Sequence, residues 1–109
     1  MKLIIAIIQD EDASRLISEL MTADYRVTKL ATTGGFLRSG NTTLLVGVED
    51  DKLNDALDVV EKVCKSRKQI AAAPTPVSGN TGMFMPLPME VTVGGATIFV
   101  LDVEQFKKI

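Results

Sequence analysis

The stretch from Tyr25 to Gly47, YRVTKLATTGGFLRSGNTTLLVG, gathers the residues best suited to hold a ligand. The glycine pair Gly34-Gly35 allows backbone conformations that aim successive amides inward, so the amides of Gly35, Phe36 and Leu37 can surround an anion. The Phe36 ring beside them offers a π-face to a flat partner such as a base. Nucleotide recognition needs this pairing of anion donors with a flat cover. Each residue also has a plainer reading. A Gly-Gly pair is most often a turn, Phe36 a loop anchor, Arg26 a solvated strand residue and Asn41 a turn former.

Composition removes several chemistries. The chain has 109 residues, 46% of them hydrophobic, with no histidine and one cysteine. Imidazole general bases, disulfide frameworks and the usual zinc sets are therefore excluded. With 12 basic against 14 acidic residues the net charge is -2, so there is no global field to hold a nucleic acid. Neither a Walker-type nor a Rossmann glycine motif occurs, and no catalytic residues or cofactor are expected. The acidic groups Asp10-Glu11-Asp12 and Glu49-Asp50-Asp51 each precede an apolar-periodic segment. Helix capping accounts for both, and no metal site is expected.

Several elements must position the binding stretch. The run Leu3 to Ile8 is too short to span a bilayer and ends without a cleavage site, so it reads as a buried strand in a cytoplasmic protein with no membrane insertion. Asp10 or Asp12 is expected to cap a helix with Ala13, Leu16, Ile17, Leu20 and Met21 on its inner stripe. A strand from about Tyr25 places Arg26 and Thr28 on one side, and a third strand runs from Thr42 to Val48. A second helix carries Leu53, Ala56, Leu57, Val60, Val63 and Cys64 on one stripe. Four prolines and two glycines between Pro74 and Pro88 predict a long loop, which also holds Met83, Phe84 and Met85. Met89 to Val93, Gly94-Gly95 and Ala96 to Val103 then read as a C-terminal β-hairpin, with a short helical tail from Val103 to Lys108. This order predicts an α+β ferredoxin-like sandwich, βαββαβ, with an antiparallel sheet and two helices on one face. The other face, left bare, predicts self-association.

The run Arg26 to Leu37, RVTKLATTGGFL, followed by Ser39-Gly40-Asn41-Thr42-Thr43 and Gly47-Val48, resembles the signature of the PII-like cyclic-di-AMP receptor family. Ile7-Ile8-Gln9-Asp10 and the run Glu90 to Val100 resemble the first strand and last hairpin of that family. The resemblance covers nearly the whole chain. It implies one PII-like domain over residues 1–109, and a homotrimer that binds cyclic-di-AMP at each subunit interface without catalysis. Signal transduction would proceed by relay of occupancy through the loops to an unidentified downstream protein.

Ligand roles are implied for Arg26, Thr28, Gly35, Phe36, Leu37, Asn41 and Gly47, with Arg38 as a secondary contact and Phe99 as a pocket wall. Arg26 offsets phosphate charge, Thr28 bonds a phosphate or ribose oxygen, Asn41 reads a base edge, and Gly47 lets a flat base approach the strand. Two departures stand out: Asp24 where asparagine is common, and the tail Phe106-Lys107-Lys108-Ile109. They keep open a PII-like protein that answers to another adenine nucleotide such as ATP, or a constitutive trimeric assembly protein.

Overall fold

The computed structural model describes residues 1–30, 40–76 and 84–109. The isoleucine-rich N-terminal run forms β1 (Lys2–Gln9), in the middle of a four-stranded sheet. Helix α1 (Asp10–Thr22) and strand β2 (Val27–Leu30) follow. Strand β3 (Asn41–Val48), a 3-10 turn (Asp50–Lys52) and helix α2 (Leu53–Cys64) come next. After β4 (Arg67–Pro76) and β5 (Phe84–Val93), strand β6 (Ala96–Asp102) completes the sheet. Its order is β2-β3-β1-β6, with β1 antiparallel to both neighbours. This is the ferredoxin-like arrangement that the element order predicts.

Alternation along the strands divides the sheet into two faces. Ile4, Ala6 and Ile8 of β1 and Leu44, Val46 and Val48 of β3 are buried under the helices. They meet Ala13, Leu16 and Leu20 of α1 and Ala56, Val60, Val63 and Cys64 of α2 in one cluster. Each fully buried Leu, Ile or Val contributes about 1.5–3 kcal/mol, so this layer holds the fold together. Met21, expected on the same stripe, is 62% exposed. It lies about 80° round the helix from Ala13, at the rim of the stripe.

The hairpin expected at the end of the chain does not form. β5 pairs with β4 in a separate two-stranded ribbon, while β6 pairs with β1. Gly94 and Gly95, at φ +85° and +93°, carry the chain from one sheet into the other instead of turning it back. Much of the expected Pro74 to Pro88 loop is therefore strand, and its middle, residues 77–83 with Met83, lies outside the described residues. In a two-stranded ribbon both strands are edges, which is where proline is tolerated; Pro74 and Pro86 face each other in register. The ribbon is an arm on a body, and the molecule extends 67 × 29 × 20 Å.

Three smaller expectations are also corrected. The tail after Asp102 is not helical. It is tied to the N-terminus, where the Val103 amide donates to the Met1 carbonyl and Lys2 pairs with Asp102. No acidic side chain caps its helix: the N-cap positions are Gln9 for α1, Glu49 for the 3-10 turn and Lys52 for α2, and none of the three side chains bonds the helix end. Asp10 instead accepts from the Thr42 hydroxyl, Asp12 pairs with Arg67, and Asp50 pairs with the Met1 amine at 2.9 Å.

Candidate functional site

The face of the sheet away from the helices carries the residues of interest. The β2–β3 register sets Thr28 opposite Leu45, and Val27 opposite Val46 puts Arg26 beside Gly47. Arg26, Thr28 and Gly47 are exposed and line one cavity of about 950 Å³, together with Leu45, Phe106 and Lys108. A Cβ built on Gly47 would meet nothing within 4 Å. Among the described residues, packing therefore places no demand for glycine here, and the space above the strand is open. Lys52 and Lys108 add positive charge to the lining, against Asp24 and Glu49.

The cavity's far wall comes from the end of α1. The Tyr25 amide donates to the Leu20 carbonyl at 2.9 Å and the Asp24 amide to the Met21 carbonyl at 3.0 Å, with Asp24 at φ 68°. This pair of bonds around a left-handed residue is a Schellman closure, a position that Asp and Asn tolerate better than other side chains. Asp24 thus ends the helix as well as facing the cavity. Tyr25 packs on the core and donates to the Lys52 carbonyl at 3.4 Å.

Asn41 and Phe99 do not line this cavity. Asn41 begins β3, half-buried and opposite Gln9, six positions from Gly47 and so about 20 Å along the strand. Phe99 sits on the same open face in β6, opposite Ile5, and is 52% exposed without lining the cavity. Gly35, Phe36, Leu37 and Arg38 lie outside the described residues. Leu101 and Leu30, on the same face as Phe99, are also exposed, so the face is apolar between its polar ends.

Thr43 belongs to the run that carries the resemblance, which implies no ligand role for it. It lies between Asn41 and Leu45 on the open face, and its buried hydroxyl has no hydrogen-bond partner among the described residues. Period-2 alternation from Asn41 through Gly47 would have placed it there; its missing partner could be seen only in three dimensions. Phe106 and Lys108 were expected on a helical tail and instead reach the cavity from a tail without regular secondary structure. Cys64 is buried, and burial pushes its thiol up to about 11, reinforced by Asp12 and opposed by Arg67. It is a packing residue, inert near neutral pH.

The α+β sandwich offers a charged cavity at the edge of the sheet face away from the helices, and the comparisons give the family. The model of a family described as cyclic-di-AMP receptor matches residues 1–109, the whole chain, and the chain belongs to that family. It is also similar to a functionally unknown protein from Pediococcus pentosaceus, whose crystal structure matches with a TM-score of 0.78 and 41% identity over 99% of this chain and 96% of that one. Among the described residues no helix is long and apolar enough to cross a membrane.

Proposed function

We propose that this protein is a non-enzymatic sensor that binds cyclic-di-AMP between copies of itself and passes occupancy to a partner protein. The observation that carries this reading is the open-face cavity lined by Arg26, Thr28 and Gly47, in a chain that matches the receptor family over its full length. Arg26 supplies a fixed positive charge with a planar fork for a phosphate, Thr28 a hydroxyl, and Gly47 the open floor on which a base can lie.

The division of the remaining residues supports a site shared between subunits. Asn41, which follows the glycine-bearing segment in the sequence, begins β3, and Gly47 with Arg26 beside it stands near the other end, about 20 Å away. One ligand reaches both sets more readily when two chains each supply one end. The exposed Phe99, Leu101 and Leu30 give such copies an apolar face to bury, and a closed trimer would cover it on every subunit. In this reading the single domain spans residues 1–109 and Arg38 makes a supplementary contact.

Isothermal titration with cyclic-di-AMP, with cyclic-di-GMP and ATP as competitors, tests ligand and stoichiometry together. Saturation near one ligand per subunit, indifferent to both competitors, is the expected result. Heat from ATP alone would shift the reading to another adenine nucleotide, and no heat from any of them would leave an assembly protein. Phe36→Ala is expected to abolish the ligand-dependent rise in Tm while leaving the trimer intact in sedimentation.

A further inference from the structure

Four residues at the β1–α1 junction, Gln9 to Asp12, touch both the ligand-facing strand and the root of the arm. On the strand side, Gln9 is the register partner of Asn41, the Asp10 amide donates to the Gly40 carbonyl at 2.8 Å, and the Thr42 hydroxyl donates to the Asp10 carboxylate. On the arm side, Asp12 receives two bonds from Arg67, the first residue of β4, at 2.8 and 3.3 Å. The Gly94 amide, just past the end of β5, donates to Gln9 Oε1 at 2.7 Å. Both strands of the arm are therefore anchored to the same short segment that holds the start of β3.

The arm depends on these anchors. A two-stranded ribbon is at best marginally stable in water, and Ile70 and Met89 on it are 78% and 48% exposed, so its direction is set at its root. The Asp12 carboxylate is almost fully buried, and its forked bonds to a planar guanidinium fix an angle as well as a distance. The amide of Gln9 is fixed too, because its oxygen faces a backbone donor and its nitrogen end must point elsewhere.

We propose that Gln9, Asp12 and Arg67 are positioning residues, and that they form a joint through which ligand drawn to the Asn41 end of the site sets the direction of the arm. The joint rests on the functional reading above for its ligand, but the mechanical link belongs to the protein alone. Linkage then requires the reverse effect: releasing the arm alters ligand affinity by the factor with which ligand alters the arm.

Amide hydrogen exchange by NMR on the full chain, free and saturated with cyclic-di-AMP, tests this in wild type, Gln9→Met and Arg67→Gln. In free protein, Arg67→Gln is expected to speed exchange of the Asp10 amide roughly tenfold relative to the Ile5 amide in mid-strand, since the disturbance crosses the joint. In wild type, ligand is expected to shift exchange at Gln69 and Val91 of the arm by about fivefold or more. Both variants should still bind ligand, with an altered affinity, and lose that shift.

An unchanged ratio of Asp10 to Ile5 exchange in Arg67→Gln overturns the joint and leaves the ligand reading intact. So does a wild-type protein that binds ligand with its arm unaffected, or variants that keep the arm response. A changed ratio with no cyclic-di-AMP binding supports the mechanical link and removes the ligand assigned to it. Should Arg67→Gln fail to fold, Gln9→Met, which removes the side-chain amide that accepts from Gly94, carries the same comparison, read at Asp10 and at the arm.

Discussion

The four-stranded sheet and the two-stranded arm are built from similar strands by different means. In the body, each central strand has a neighbour on both sides and a helical layer beneath it, so Ile4, Leu44 and Val46 are removed from water on all sides. In the arm, ten-residue strands pair, among the described residues, only with each other, and Ile70 stays exposed. The body's stability comes from a shared interior. The arm's order comes from one ladder and from bonds at its base, a distribution expected of segments that move in response to partners.

Substitutions can widen or close that difference. The largest effect is expected at Ile4→Ala, which empties the centre of the body and should cost about 2–5 kcal/mol by urea denaturation. A loss below 1 kcal/mol would mean that the helical layer collapses onto the gap. Next is Gly94→Ala at the boundary between the two regions. A Cβ there would sit 2.9 Å from the Lys65 carbonyl and 3.0 Å from that of Cys64, on a residue at φ +85°. A loss of about 2 kcal/mol or more is expected, against about 1–2 kcal/mol for Gly40→Ala, whose φ is also positive but whose surroundings are open. Equal losses at the two sites would show that the boundary relaxes freely.

Thr43→Val should move stability the other way. Replacing a buried hydroxyl that has no partner among the described residues by a methyl of the same shape is expected to raise the free protein's stability by about 1 kcal/mol, read as a higher Tm. A fall would mean that the hydroxyl is bonded in solution. The smallest effect is expected at Ile70→Ala in the arm, within about 0.5 kcal/mol of wild type in the free protein. A larger loss would show that the arm buries Ile70 against something, and that it resembles the body after all.

The same contrast explains how much could be read in advance. The stripe Leu53, Ala56, Leu57, Val60, Val63 and Cys64 and the run Leu3 to Ile8 carry their burial in local periodicity, so the body was legible. Pairing partners are not local. The segments that became β5 and β6 alternate in the same way whether they face each other or belong to different sheets, and Gly94-Gly95 suits either outcome. Asp10 and Asp12 misled for a related reason: position favours capping, but Thr42 and Arg67, 32 and 55 residues away, compete for the carboxylates. Of the cavity lining, alternation put Arg26 and Thr28 on one side of their strand, while Gly47 stands beside them only through the pairing of β2 with β3. That Asn41 stands at the opposite end of its strand from Gly47 follows from simple counting, but what that distance implies depends on how copies assemble.

The bond between the Gly95 amide and the Cys64 carbonyl has a consequence for how such a protein can be altered. The last residue of α2 and the residue before β6 are already neighbours, so everything between them is an insertion whose two ends meet. A short turn joining Cys64 to Gly95 would close the minimal sandwich without moving a strand, provided Asp12, which loses its cation, is also replaced by an uncharged residue. The arm can therefore lengthen, shorten or change sequence while the strands and helices beneath it keep their packing.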